Sequence, residues 1–156
     1  MRIKSKIAVL FCAAFMFVAC DRKMQFEAYY EIGSKGWHKD SLAVFNVEIP
    51  SSTESYNLFF NVRNVGNYPY SNLWLFVDIA TSDTIAIRDT VELALAKPNG
   101  KWLGSGLGDL HDLQIAYKKY VHFPQKGTYR IVLQQGMRND YLKGIHDIGI
   151  RVEKAK

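Results

Sequence analysis

Only two cysteines occur among the 156 residues, Cys12 and Cys20, and both stand near the amino terminus. With cleavage just before Cys20, the folded body has no other cysteine, so disulfides are excluded and packing must hold it together. No stretch after Cys20 is apolar enough to read as a membrane span. A 3.6-residue helical period is missing from the body, and so are internal repeats, low-complexity tracts and an interdomain linker.

Signatures of chemistry are equally scarce. A phosphate-binding loop needs Gly-Lys-Ser/Thr, but Gly100-Lys101 is followed by Trp102. Gly104, Gly106 and Gly108 lack the dinucleotide-binding spacing and sit in a strand-rich context. Gly104-Ser105-Gly106 is no Gly-x-Ser-x-Gly nucleophile elbow. His38 with Asp40, His111-Asp112 and His146-Asp147 are the candidate metal ligands. None has His-x-x-x-His spacing, and neighbours on a strand point to opposite faces. No catalytic set, metal, cofactor, nucleic acid or small-molecule substrate is expected.

What is present begins with Arg2, Lys4 and Lys6, then the uncharged residues 7–19, then Phe17-Val18-Ala19-Cys20. A basic head, an apolar run and a small residue before cysteine form a bacterial lipoprotein signal. The run has 13 residues, short of the ~20 that span a bilayer. An ordinary secretion signal with Cys20 a bystander is one alternative, and an uncleaved anchor is another. Cleavage removes residues 1–19 and leaves 137 of 156, one domain's worth. It removes three of 20 basic residues and none of 15 acids, so the net charge falls from +5 to +2. A generally basic, nucleic-acid-binding or acidic-lipid-binding surface loses its support. Cys20 becomes the lipidation site, residues 20–25 the acylated end and short tether, and residues 26–156 the domain.

The body alternates with a period of two. Phe45, Val47 and Ile49 share one face, as do Leu58, Phe60 and Val62, then Leu73, Leu75, Val77 and Ile79. Ile85 and Ile87 follow, with Val91, Leu93 and Leu95 continuing or succeeding them. Leu113, Ile115 and Tyr117 extend towards Val121 and Phe123, and Tyr129, Ile131, Leu133 and Ile148, Ile150, Val152 complete the pattern. Turn residues separate these runs, as at Pro50-Ser51-Ser52 and Pro98-Asn99-Gly100. Seven to nine such strands predict an all-β antiparallel sandwich, immunoglobulin-like or jelly-roll, with a closed barrel as competitor. Trp74 and Phe76 oppose the aliphatic face of their strand. That strand is either covered on both sides or exposes an aromatic patch for docking or sugar stacking. Arg63, Trp74, Trp102 and Asp109 are the candidate partner-binding residues, Trp102 as an aromatic anchor in a glycine-rich loop.

Five stretches resemble the gliding-motility lipoprotein GldH family of Bacteroidetes. They are Cys20 followed by Phe26-x-x-Tyr29; Trp37-His38-Lys39-Asp40; Arg63-Asn64 leading to Tyr68-Pro69-Tyr70-Ser71-Asn72-Leu73-Trp74-Leu75; Gly100-Lys101-Trp102-Leu103-Gly104-Ser105-Gly106-Leu107-Gly108-Asp109; and Met137-Arg138 with Leu142-x-Gly144-Ile145-x-Asp147-x-Gly149. The resemblance implies an envelope lipoprotein of gliding motility and its linked secretion machinery, with envelope proteins as partners and no enzymatic activity. Surface-exported lipoproteins of this phylum often carry an acidic cluster soon after the cysteine. Here Asp21 is followed by Arg22 and Lys23, which favours the outer membrane with the protein facing the periplasm. A carbohydrate- or cell-wall-binding lipoprotein is the second reading, from the aromatic content, and a carboxylate or His-Asp hydrolase the third.

Overall fold

A computed structural model describes residues 23–81 and 85–156. The signal and Cys20 lie outside the described residues, which contain ten strands.

Alternation builds each strand. In β3 (Ala43–Ile49) the side chains of Ala43, Phe45, Val47 and Ile49 are buried and those between face solvent. In β5 (Asn72–Ala80), Leu73, Leu75, Val77 and Ile79 point inward. In β10 (Ile145–Lys154), Ile148, Ile150 and Val152 do the same. Between them run β1 (Met24–Glu31), β2 (Trp37–His38), β4 (Ser55–Val65), β6 (Ile85–Ala94), β7 (Leu110–His122), β8 (Gly127–Gln135) and β9 (Tyr141–Leu142).

Two four-stranded antiparallel sheets face each other, ordered β1-β10-β4-β7 and β3-β8-β5-β6, while β2 and β9 form a small ribbon. Renumbered without the ribbon, the eight long strands run 1-8-3-6 and 2-7-4-5. This is the jelly-roll order, a two-sheet alternative to barrel closure, and it sets aside the immunoglobulin-like arrangement and the closed barrel. One core lies between the sheets, from Tyr56, Leu58, Phe60 and Val62 on β4 to Ile131 and Leu133 on β8.

Several elements depart from the periodicity or are left open by it. β1 starts at Met24, inside the segment expected as tether, and its inward Phe26, Ala28 and Tyr30 are only half-buried, as befits an edge strand. The ribbon is too short to show any period. β6 is one strand through Ala94, and β7 passes its bulges near Lys118 to reach His122.

The strands fix two ends. At one, β1, β4, β6 and β8 finish and four long connections gather: 32–42, 66–71, 95–109 and 136–144. At the other, β1 and β4 begin, and the connections 50–54 and 123–126 are short. Lys154 N–H donates to the Lys23 carbonyl (2.9 Å) at this second end, so the chain enters the fold there.

Candidate partner-binding site

Trp74 and Phe76 lie on the outer face of β5, 38% and 45% exposed. A strand central in its sheet therefore shows two large rings to solvent, and the covered-on-both-sides alternative does not hold. On the same outer face Val44 of β3 is exposed beside its partner Val132 of β8, itself buried, and Leu42 is exposed just before β3.

The β8–β9 turn builds a wall beside this patch. Gly136 N–H donates to the Trp74 carbonyl at 2.7 Å. A Cβ at Gly136 would lie 3.4 Å from both the Phe76 ring and Trp74 Cβ, ordinary contact distance, so the turn sits directly against these two side chains. The buried Gln135 amide templates the turn, donating through Nε2 to the Asn139 carbonyl (2.8 Å) and accepting at Oε1 from Met137 N–H (2.8 Å). Tyr70 hydroxyl donates to Asn139 Oδ1 at 2.6 Å. The result is a cleft of about 350 Å³ lined by Tyr70, Asn72, Trp74, Met137, Arg138 and Asn139. The side chains of Arg138 and Asn139 at its rim are exposed.

The glycine-rich loop folds back on the start of β7. Ser105 and Asp112 exchange backbone hydrogen bonds at 3.0 and 2.9 Å. A Cβ at Gly106 would stand 2.1 Å from the Leu110 carbonyl oxygen, so only glycine permits this approach. Trp102 is half-buried, its ring 5.7 Å from that of His111 and 6.4 Å from that of Tyr68. Burial raises the Tyr68 phenol well above its ordinary pKa. The side chain of Asp109 accepts from Gly66 N–H at 3.1 Å, tying the loop to the β4–β5 turn. At the tip Leu107 is 95% exposed.

Arg63 sits on the outer face of the first sheet. Its Nε donates to Asp112 Oδ2 (3.1 Å) and its Nη1 to Asp147 Oδ2 (3.3 Å). The guanidinium lies 4.3 Å from the centre of the Tyr29 ring, a cation–π contact. The Asp112 hydrogen bond leads in raising the arginine's pKa. Gly149 lets Tyr29 lie flat across the sheet, for a Cβ there would be 3.0 Å from the ring. One side chain of β4 thus reaches β7, β10 and β1. Asp147 is buried and its Oδ1 has no partner. A bulge between Ile145 and Asp147 puts His146 Nδ1 2.9 Å from Asp147 Oδ2, although strand alternation separates such neighbours. Among the described residues, no three His, Cys, Asp or Glu side chains gather as metal ligands.

Of the four candidate residues, Trp74 and Asp109 are exposed, and Asp109 is tied down by its bond to Gly66. Arg63, Trp102 and Asp109 share one corner, where β4 ends and β7 begins, and each holds neighbouring strands or turns in place. Trp74 is on the other sheet. Residue types alone left out Tyr70, Met137 and Arg138, whose meeting depends on the pairing of β8 with β5. The signal available in the sequence is Gln135-Gly136, which marks a turn after β8.

The profile of the GldH lipoprotein family matches residues 24–152. The chain is 38% identical over 162 residues to the gliding motility lipoprotein GldH homolog of Christiangramia forsetii, covering 99% of each chain. It is 38% identical over 161 residues to the gliding motility lipoprotein GldH of Flavobacterium johnsoniae, again over 99% of each. A solved family GH115 4-O-methyl-alpha-glucuronidase superposes with a TM-score of 0.43 at 10% identity, over 88% of this chain and 18% of that one. So loose a likeness carries no functional weight.

Proposed function

From the premise that this chain belongs to the GldH lipoprotein family, we propose that it serves gliding motility as a non-enzymatic, membrane-anchored lipoprotein of the cell envelope. It acts by holding another envelope protein of the motility and linked secretion apparatus. Acylated Cys20 is the anchor, and the protein hangs from the outer membrane into the periplasm. The observation that carries the contact is the exposed Trp74–Phe76 face with the cleft beside it. Two large rings on a central strand have no role in this core, and exposed apolar patches rimmed by polar groups mark interaction sites. Two stretches that carry the family likeness, Tyr68 to Leu75 and Met137-Arg138, meet at this cleft. A photo-crosslinking side chain at position 74 should give one discrete adduct with an envelope protein in living cells. Absence of any adduct from a folded, functional protein contradicts the proposal.

One observation favours a second reading. The Trp74 ring stands beside Tyr70, Asn72, Arg138 and Asn139, a stacking surface flanked by hydrogen-bonding groups that suits a sugar ring. Titrating soluble peptidoglycan fragments and following tryptophan fluorescence separates the two. Saturable binding lost in Trp74→Ala supports the glycan; a flat titration removes it.

A further inference from the structure

We infer that the fold has a built membrane-facing side: the end of the first sheet that carries Met24, Lys119 and Tyr120 rests on the phospholipid headgroup layer, and the four long loops point away from it. This rests on the anchoring of Cys20 in lipid. Lys23 is already hydrogen-bonded into the sheet, so the tether consists of the few residues between it and Cys20. Three extended residues reach at most about 11 Å, which keeps this end of the sandwich at the membrane.

The surface there is suited to an interface. Met24 pairs with Glu153, Glu153 pairs with Asn57, and Asn57 Oδ1 accepts from Tyr120 N–H at 3.0 Å. Met24 and Tyr120 therefore stand on one row at the two edges of the sheet, about 14 Å apart at three strand spacings. They are 44% and 66% exposed. Tyr120 has φ +56°, the one positive φ at a non-glycine position among the described residues. The left-handed region disfavours a bulky residue, yet the strand holds this phenol outward. Tyrosine at the headgroup level, with an apolar body and a polar tip, is a characteristic interfacial residue.

Lys119, beside it, and Lys126, in the adjacent short connection, are exposed and have no acidic partner among the described residues. Among the described residues at this end, Glu54 pairs with Lys154 and Glu153 with Arg151, while Glu48 accepts from the Thr128 hydroxyl. A net charge of +2 gives no general attraction to lipid, but unmatched lysines beside the anchor add a local one. β1 has eight residues, about 26 Å at strand rise, so the glycine-rich loop and the cleft beside Trp74 are held roughly that far from the lipid.

The cysteine-free body allows a direct test. Acylated protein carrying Tyr120→Cys, Lys126→Cys or Leu107→Cys is labelled with a fluorophore and reconstituted in phosphatidylethanolamine–phosphatidylglycerol vesicles containing a headgroup-linked quencher. Flotation with the vesicles reports the anchor, and quenching reports the orientation. Loss of fluorescence at 120 and 126 with none at 107 is expected. Equal quenching at all three positions, quenching at 107 alone, or none anywhere in floated protein overturns the orientation. Failure to float overturns the anchor, and the inference with it. The Lys126 position keeps the test valid if Tyr120→Cys relaxes the strained backbone.

Discussion

Arg63 places its charge between Asp112 and Asp147 and its plane on Tyr29, so replacing it with methionine keeps the stem and strands a buried carboxylate. Breaking one partner of such a pair costs about 3 kcal/mol. Arg63→Met is expected to lower the urea midpoint accordingly, with an unchanged m-value; an unmoved midpoint would show that the hub is dispensable. Asp112→Asn, at an exposed carboxylate, should cost far less. The tryptophans divide in the same way. Trp37 is 1% exposed, and its loss to alanine should cost about 3–5 kcal/mol, whereas Trp74→Ala should cost about 1 kcal/mol or less. Equal losses in thermal melts would contradict the assignment of Trp74 to the surface. Residue types pointed to Arg63 and Trp102 as unusual, but not to their duty. Whether a tryptophan fills a core or faces water depends on which sheet covers its strand, and no local pattern carries that.

At the scale of elements, the two sheets are joined by a polar bridge as well as by the core. Tyr117 of β7 donates its hydroxyl to Asp89 of β6, and Lys118 lies 2.8 Å from the same carboxylate. The Lys118 hydrogen bond, then that of Tyr117, holds the Asp89 carboxyl below the usual carboxylate range. Its contribution is therefore present above the unfolded value, near 4, and is lost as pH falls through the lower folded value. Burial, then Asp89, raises the Tyr117 phenol, so that contribution holds at neutral pH and fades as pH rises above about 10. Asp89→Asn should flatten the acid limb of a melting-temperature profile; an unchanged slope would contradict the bridge. The glycine-rich loop offers a second test. Gly106→Ala drives a Cβ against the Leu110 carbonyl, and overpacking of this kind costs about 1–3 kcal/mol. Limited proteolysis should then cut near Leu107 faster than in the native chain, and equal rates would contradict the packing. β3 and β5 are legible because one face of each is wholly apolar, and β10 because Ile148, Ile150 and Val152 alternate without a break. β1 was not, since an edge strand half-buries its inward side chains and blurs the alternation. The His146-Asp147 contact was hidden because a bulge interrupts the two-residue period.

For the whole molecule, strand alternation could not choose between an immunoglobulin-like sandwich and a jelly-roll, because strand order is decided by pairings between residues far apart in sequence. Once that order is known, the chain acquires two ends with different duties. One is entered at Lys23, beside the proposed anchor at Cys20. The other gathers four long connections, and most of the stretches that carry the family likeness lie there, with Trp74 and its cleft at the adjoining edge of the second sheet. The role proposed for this face of β5 is in motility. It is tested most directly by replacing the chromosomal copy with the Trp74→Ser, Phe76→Ser variant and tracking single cells on glass. The expected result is loss of gliding with normal amounts of membrane-associated, cooperatively melting protein. Gliding at the wild-type speed in those cells would contradict the account.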